Sequence, residues 1–382
     1  MNTNKRTPKL RFKGFTDDWE QRKLSDILKV NSGKDYKHLD QGTIPVYGTG
    51  GYMLSVNESL SNIDAIGIGR KGTIDKPQYL KAPFWTVDTL FYLTALDKHS
   101  ILFLYYLMQL IPWKKFDEST GVPSLSKTTI ENINGYVPSK PKEEELISAL
   151  FSQLDKSITL HQRKLDNLKL KKKALLQKLF PKNGERYPEL RFPGFTDAWE
   201  QRKLESLFTK YEDKVNTPDS GYWRLGLRSH CKGTFHTYVD AGHELETTEM
   251  YRVKAGNFIL NITFAWERAL AVTDDEDQDK LVSHRFPQFK PNSDLVIDFF
   301  KHTLMDKRLK HHLELSSPGG AGRNKVLKVS DMLKYELLVP SIQEQNIISS
   351  FLNNIDHIIT LHQHKLDRLI SIKKGLLQQL FV

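Results

Sequence analysis

Residues 67–72 (GIGRKG) have the types and spacing of a phosphate-binding loop. They match the G-x-G-x-x-G pattern in which backbone amides cradle the pyrophosphate of a dinucleotide. That chemistry requires a helix to begin beside the loop, and Pro77 with the strand-like residues beyond it argues against one. We therefore predict a tight β-turn in which Arg70 and Lys71 contact a phosphate backbone, with a purely structural turn as the alternative.

An acidic run and a pair of histidines are the other candidate metal ligands. The acidic run is Asp274, Asp275, Glu276, Asp277 and Asp279. Consecutive carboxylates usually form a solvated turn rather than a Mg²⁺ site, and we predict such a turn. His161 and His362 occupy matching positions in two similar segments. Their alternatives are a metal site or a pH switch, but single polar residues in a helix–helix seam more often set its register, and we predict that role.

The sequence lacks the usual motifs of catalysis. It has no Walker A loop, no zinc-ligand spacing, no nucleophile elbow and no methyltransferase signature beside a glycine-rich loop. Cys231 is the only cysteine, which excludes an intrachain disulfide and a cysteine-rich metal site. We therefore predict a protein that is not an enzyme and that binds no cofactor or metal itself.

The charge balance favours an anionic partner. The chain has 382 residues, with 56 Lys and Arg against 46 Asp and Glu, hence a net charge of +10. Nucleic acid is the first expectation for such a partner. The longest apolar run, 101–111, is too short to span a membrane, and the first residues do not resemble a signal peptide. We expect a cytoplasmic protein with no membrane partner.

Basic and aromatic residues interleave in two long stretches, 25–137 and 205–339. Arginine is the strongest candidate for a DNA contact, because a guanidinium pairs bidentately with guanine or clamps a phosphate. The predicted DNA-binding residues are Tyr47, Arg70, Lys71, Ser124 and Lys127 in the first stretch, and Arg224, Arg228, Lys232, Arg268, Arg323, Asn324 and Lys325 in the second.

The elements that must position these residues are arranged in a repeat. LRFKGFTDDWEQRKL (10–24, the first LRF segment) returns as LRFPGFTDAWEQRKL (190–204, the second LRF segment). Residues 148–180 return in similar form as 349–381. The stretches between them do not visibly match. The chain therefore has two constant frames around two unlike inserts.

The longer repeated segments are predicted helices with an a/d seam, since their apolar residues alternate three- and four-residue steps. Two matched seams in one chain pack most economically on each other. The predicted seam residues are Leu154, Ile158, His161, Leu165 and Leu168 in the first helix, and Ile355, Ile359, His362, Leu366 and Leu369 in the second. The basic residues of 163–178 are either the solvated flank of this coiled coil or a surface for a phosphate backbone.

Local signals mark where these elements begin. Pro141 followed by acidic residues suits a first helical turn, and Ser341 with Glu344 forms a capping-box pattern. Because the second LRF segment follows Phe180 closely, pseudo-symmetry predicts that the first lies near Phe381 and that the helices run antiparallel. Within the inserts we predict short strands and helical stretches at 101–116 and 295–313.

The predicted fold class is α+β: two mixed α/β globules separated by two long helices packed as an antiparallel coiled coil, with a pseudo-twofold internal repeat. The predicted boundaries are 1–140 for the first globule with its N-terminal constant segment, 141–182 for the central helix, 183–340 for the second globule and 341–382 for the C-terminal helix.

This layout resembles the DNA-specificity (S) subunit of type I restriction–modification systems. The resemblance covers the whole chain, and it is strengthened by VYGTGGY, IGIGRKGTI and APFWTVDTLFYL in the first insert and by GNFILNITFAW, LVSHRFPQF and VSDMLKYELLVPSIQEQ in the second. It implies that each insert is a target-recognition domain for one half of a split, asymmetric site in double-stranded DNA. It also implies that the paired helices fix the gap between the halves.

The resemblance further implies protein partners. Two adenine-N6 methyltransferase (M) subunits would dock on the helices and motor-nuclease (R) subunits would join them, with S-adenosylmethionine, ATP and Mg²⁺ on those partners. A stand-alone sequence-specific DNA-binding protein and a protein-only coiled-coil scaffold are the alternatives. The salt dependence of DNA binding distinguishes the DNA-binding proteins from the scaffold, because phosphate contacts make the affinity for DNA fall steeply with salt concentration. The bases recognised, and the presence of R subunits, do not follow from the sequence.

Overall fold

The protein consists of two compact units. The structure, a computed structural model, describes residues 7–96, 98–182, 184–243, 249–320 and 325–382. Unit 1 comprises Met1–Lys164 with His362–Val382, and unit 2 comprises Leu165–Leu361. Each long helix thus contributes one half to each unit. The four-segment division of the sequence follows helix ends instead of compactness and stays a prediction.

Most strands of unit 1 follow one another along the chain, between a short helix at Leu24–Ile27 and the helix at Ile101–Met108. The strands are β1 Glu20–Lys23, β2 Leu28–Ser32, β3 Gln41–Gly48, β4 Gly51–Val56, β5 Ala65–Gly69, β6 Gln78–Leu80, β7 Trp85–Thr86, β8 Leu90–Ala95 and β9 Asn134–Val137. The helices are α1 Leu24–Ile27, α2 Ile101–Met108, α3 Lys127–Asn132 and α4 Pro141–Leu179, which continues into unit 2.

Unit 2 has a similar order, with its main run of strands between the helices at Leu204–Leu207 and Ile297–Thr303. Its strands are β10 Glu200–Lys203, β11 Phe208–Tyr211, β12 Lys214–Asn216, β13 Tyr222–Leu227, β14 Thr234–Val239, β15 Glu249–Arg252, β16 Phe258–Leu260, β17 Leu270–Val272, β18 Leu281–Val282, β19 Gln288–Pro291 and β20 Glu336–Val339. Its helices are α5 Leu204–Leu207, α6 Ile297–Thr303, α7 Lys307–Leu315, α8 Val329–Met332 and α9 Ile342–Leu380, which ends in unit 1.

The two units share a sheet topology although their inserts do not match in sequence. An antiparallel sheet has the strand order β2–β8–β5–β6 in unit 1 and β11–β19–β16–β17 in unit 2. A short ribbon repeats as well, with Glu20 opposite Val137 and Glu200 opposite Val339. The second sheets differ, with the order β4–β3–β7 in unit 1 and β12–β15–β18–β13–β14 in unit 2. The predicted α+β class is confirmed. The common sheet topology was not predicted from the sequence, because the inserts do not match.

Both insert helices are shorter than predicted. In unit 1 the helix ends at Met108, and a 3₁₀ turn follows at Trp113–Phe116. Pro112 has no N–H to continue an α-helix, which explains the break. In unit 2 the predicted 295–313 helix is two helices, because the extended residue Asp306 separates them and its carboxylate caps α7.

The long helices run antiparallel within each unit. In unit 1, Asp155 on α4 accepts from Lys373 on α9 at 2.6 Å, while His161 meets His362 at 3.1 Å. The equivalent ion pair in unit 2 joins Lys172 to Asp356 at 2.6 Å. The predicted seam residues, from Leu154 to Leu168 and from Ile355 to Leu369, are all buried or half-buried. The predicted antiparallel coiled coil is therefore confirmed as part of the fold.

Each LRF segment is tied to the end of a long helix. Leu10 N–H donates to the Gln379 carbonyl at 2.9 Å, and Trp19 packs edge-on against Phe381 with ring centroids 5.9 Å apart. In unit 2 the equivalent bond runs from Leu190 N–H to the Lys178 carbonyl at 2.8 Å. The prediction that the first LRF segment lies near Phe381 is confirmed.

Each LRF segment also contacts the start of the other long helix. The Arg11 guanidinium forms a two-pronged ion pair with Glu143 at 2.7 and 2.9 Å, and Arg191 does the same with Glu344 at 2.8 Å. This corrects the predicted capping box. Ser341 Oγ does accept from Glu344 N–H at 3.3 Å, but the Glu344 carboxylate binds Arg191 rather than the backbone, because a charged partner is the stronger one.

Candidate DNA interface

The turn after β5 carries a basic pair, Arg70 and Lys71, where this inner strand ends at the edge of the unit 1 sheet. We call this turn, and its counterpart after β16 in unit 2, the shared edge. Arg70 N–H donates to Thr89 O at 2.8 Å, and Arg70 O accepts from Leu125 N–H at 2.9 Å. Gly72 has φ +96°, a conformation that suits glycine, and no helix begins there. The G-x-G-x-x-G pattern is thus a turn between strands, as predicted, and lacks the helix N-terminus that a dinucleotide needs.

Other predicted residues of unit 1 lie around this turn. Lys71 forms an isolated β-bridge with Ser124, and Arg70 and Lys71 are both exposed. Lys127 begins α3 and its ammonium lies 3.6 Å from Glu131, so its charge is partly compensated. Tyr47 is half-buried at the end of β3, whose turn accepts a hydrogen bond from Gln78 at Gly48 O, 2.9 Å away.

Unit 2 builds the same edge from different residues. Ile262 N–H donates to Arg285 O at 3.0 Å, and Ile262 O accepts from Leu327 N–H at 2.9 Å. These bonds reproduce those made by Arg70 in unit 1, so Ile262 stands where unit 1 has Arg70. The backbone frame of the edge is therefore shared, and the side chains on it are not.

The basic residues of unit 2 cluster around that edge. Arg228 and Lys232 are exposed in the loop between β13 and β14. Cys231 in this loop donates its N–H to Arg268 O at 2.9 Å, which places Arg268 beside it. The Lys325 ammonium lies 4.9 Å from the centroid of the Trp266 ring. Arg323 and Asn324 lie outside the described residues.

A cleft in unit 2 adds two residues that the sequence analysis missed. Its volume is about 520 Å³, and Arg224 lines it together with His284 and Arg285. Phe235 and Phe264 form apolar walls. The sequence signal that could have indicated them is that His284 and Arg285 are adjacent basic residues just before β19.

The acidic run is a turn with Asp274, Asp275, Glu276 and Asp279 exposed, as predicted, but Asp277 is buried. Asp277 is 1% exposed, and its carboxylate accepts from Asp274 N–H at 3.1 Å and lies 2.8 Å from His236 Nε2. A buried carboxylate needs such partners, and the run supplies one of them from its own backbone. Within the part of the chain that the structure describes, no group of three or more His, Cys, Asp or Glu side chains could hold a metal ion.

The two seam histidines are in direct contact. Their Nδ1 atoms are 3.1 Å apart, so the Nδ1–H of one ring donates a hydrogen bond to the Nδ1 of the other. Burial, and then the charges of Lys365, His362 and Lys164, lower the pKa of His161 below its ordinary value. The neutral form of the His161 ring is therefore favoured. Their role in setting the helix register stays a prediction.

The two units share one sheet topology, and each has basic side chains around the same edge, an arrangement that suits a DNA-binding protein built from a repeat. The sequence profile of the type I restriction modification DNA specificity domain matches residues 16–170 and 196–370. The chain therefore belongs to the type I restriction–modification specificity family. Specificity subunits of this family are non-catalytic, and the enzymatic activities lie on the M and R subunits.

Individual relatives agree with the profile. The type I restriction enzyme MjaVIII specificity subunit of Methanocaldococcus jannaschii is 22% identical over 303 residues, which cover 73% of this chain and 69% of the relative. The crystal structure of a type I restriction–modification S subunit from M. genitalium has a similar fold, with a TM-score of 0.68 and 14% identity over 98% of this chain and 99% of that chain. None of the described helices is long and apolar enough to cross a membrane.

Proposed function

We propose that the two units recognise the two halves of a split, asymmetric DNA site. The observation that carries the proposal is the edge that both units build with the same backbone bonds, where unit 1 has the exposed Arg70 and unit 2 has Ile262. In unit 2 the exposed Arg228 and Lys232 come instead from the β13–β14 loop, which is hydrogen-bonded to residues 267 and 268 beside that edge. Backbone contacts position a protein on DNA, whereas side chains at base edges determine sequence. Equal frames with unlike side chains suit two half-sites of unlike sequence.

The constant frame serves protein partners in this proposal. Two M subunits, which are identical to each other, need two similar docking surfaces, and the LRF segments with their buried ion pairs are duplicated accordingly. R subunits complete the restriction enzyme. S-adenosylmethionine, ATP and Mg²⁺ bind to those partners, and the present chain contributes recognition. The MjaVIII relative is named as a specificity subunit, which supports this assignment.

Mapping N6-methyladenine across the genome tests the proposal. Strains with and without this gene should differ by one bipartite motif, methylated only when the gene is present. If no methylated motif disappears when the gene is absent, the proposed role in modification is contradicted.

Purified protein separates the competing functions. The M–S complex should bind DNA that contains the motif, and the affinity should fall steeply with salt because phosphate contacts release counterions. A salt-independent or absent interaction would favour a protein-only scaffold. Equal binding by the chain without M subunits would favour a stand-alone DNA-binding protein.

A further inference from the structure

The loop between β13 and β14, residues 228–233, has a backbone that side-chain-bearing residues rarely adopt. φ is +63° at His230 and +54° at Cys231, and it is +60° at Arg268, to which the loop is hydrogen-bonded. In the described chain, only Asp279 joins them as a non-glycine residue with positive φ. Such residues cost free energy, persist only where their surroundings hold them, and concentrate at functional sites.

The surroundings hold this loop through backbone and side-chain bonds. His230 N–H donates to Glu267 O at 2.8 Å, and Cys231 N–H donates to Arg268 O at 2.9 Å. Ser229 Oγ donates to the Glu267 carboxylate at 2.7 Å. The loop is therefore hydrogen-bonded to the 3₁₀ turn that follows β16. This turn is the unit 2 counterpart of the Arg70 turn in unit 1.

Two further hydrogen bonds hold the loop and Arg268 to the segment just before α7. The Cys231 thiol lies 3.4 Å from the Leu304 carbonyl, and Arg268 Nη1 donates to the Met305 carbonyl at 3.3 Å. Burial raises the pKa of the Cys231 thiol to about 11, so it stays protonated and donates this hydrogen bond at neutral pH. The strained residues are thus bound to one another and to the segment before α7.

Side chains alternate along the loop. Ser229 and Cys231 are half-buried and make the fastening contacts, whereas Arg228, His230 and Lys232 are exposed. The exposed three are all basic or hydrogen-bond donors. A fixed backbone therefore presents three DNA-compatible side chains on its outer side.

Arg228 is further restricted by its neighbours. Its guanidinium lies 5.3 Å from the centroid of the Phe235 ring, and Nη1 donates to the Thr234 carbonyl. A cation on an aromatic face loses part of its rotamer freedom before any ligand arrives. The ordering cost of binding is then lower.

We propose that the 228–233 loop is the base-recognition element of unit 2, with His230 and Lys232 at base edges in the major groove and Ser229 and Glu267 as positioning residues. The proposal rests on the proposed function, in which unit 2 recognises one half-site. Charge alone attracts a phosphate backbone and needs no strained frame. Base edges require donors in fixed places, and a fastened left-handed loop provides them.

The test uses the full chain assembled with its M subunits and a library of duplexes randomised in both half-sites. The wild type should select a bipartite motif. His230→Ala should reduce discrimination by about 5- to 150-fold at one or two adjacent base pairs of a single half-site. The other half-site and the salt dependence should not change. The matched control is His311→Ala, an exposed histidine of α7 that lines a different cavity with Arg186 and Lys334.

Ser229 tests positioning with the same library. Ser229→Ala removes the hydrogen bond to Glu267, and it should weaken selection at the base pairs affected by His230→Ala while the unfolding temperature stays close to wild type. Ser229→Thr retains the hydroxyl and should restore selection. A purely structural serine would change stability without altering base preference, which would overturn the positioning role.

The remaining outcomes separate the two levels of the proposal. A wild-type complex without any sequence preference would contradict the proposed function itself. A selective wild type whose motif is unchanged in His230→Ala and in Lys232→Ala would overturn the loop assignment alone. Uniform weakening on every sequence, with a shallower salt dependence, would identify phosphate contacts and would also overturn base recognition.

Discussion

At the residue scale, the most consequential contacts are two equivalent ion pairs. Glu143 and Glu344 are each 1% exposed on their side chains, and each is met by an arginine of an LRF segment. The Glu143 carboxylate, foremost through its hydrogen bond, raises the pKa of Arg11. A buried carboxylate without its partner is strongly unfavourable. The pairs therefore fix each LRF segment at the start of a long helix.

Removing one of these arginines should destabilise the protein far more than removing an exposed one. Arg11→Ala leaves Glu143 buried and unpaired, and we expect a loss of about 3–5 kcal/mol in the free energy of unfolding of unit 1. Arg22→Ala is the control, since Arg22 and Glu20 are 50% and 48% exposed and their pair should contribute under about 1 kcal/mol. Urea unfolding measures both, and similar losses would show that burial does not decide the effect.

At the element scale, the helix pair depends on polar groups as well as on leucines. Lys172 and Lys373 occupy equivalent places and bind Asp356 and Asp155 across the helix pair of their own units. Each of these ion pairs is only partly exposed. Such contacts favour one register of the antiparallel pair over a slipped one, because a slip would leave the lysines without carboxylates.

The contact between His161 and His362 should make unit 1 sensitive to acid. The pKa of His161 lies below its ordinary value of 6.5 in the folded protein, so protonation favours the unfolded chain. The stabilisation is complete above pH 6.5 and is lost as the pH falls below it, because a charged His161 would be partly buried and would lie beside Lys365 and Lys164.

Urea titrations at pH 7.5 and 5.5 check this expectation. Wild type should lose more stability between the two values than His161→Asn, whose side chain does not titrate. His302 in unit 2 also has a lowered pKa, chiefly through burial, and it contributes equally to both proteins. Equal losses in the two proteins would mean that the histidine pair does not couple to pH.

At the scale of the whole molecule, one topology is written with two sequences. The β2–β8–β5–β6 and β11–β19–β16–β17 sheets match strand for strand, and the constant frame around them is bonded in the same way. Sheet topology tolerates wide variation in sequence, because apolar pattern and turns specify it more than residue identity does. Recognition residues can therefore vary on a constant scaffold.

Exchange of an insert should then change recognition in one half-site only. Replacing residues 25–137 with the corresponding insert of another specificity subunit keeps the LRF segments and the long helices. We expect a methylated motif with one new half and one retained half, as determined by methylome sequencing. Replacement of residues 205–339 is the reciprocal control. A change in both halves after either exchange would contradict independent recognition.

The sequence by itself determined the repeat, the helix seam and the antiparallel pairing of the helices. These features are periodic or duplicated, so residues such as Leu154 and Ile355 reveal them without any knowledge of distant contacts. The turn that contains Arg70 and Lys71 was also predictable, because Pro77 and the glycines act locally. Local physics was sufficient for each.

Only the tertiary structure decided which distant groups meet. Arg11 and Glu143 are 132 residues apart, and no local pattern pairs them or diverts Glu344 from its capping role. Asp277, in the turn between β17 and β18, is buried beside His236 of β14, although its own neighbours in the sequence are acidic. The left-handed loop at His230 persists because residues near 267 and 304 hold it. Burial and partners of charged groups are set by packing, which sequence periodicity does not encode.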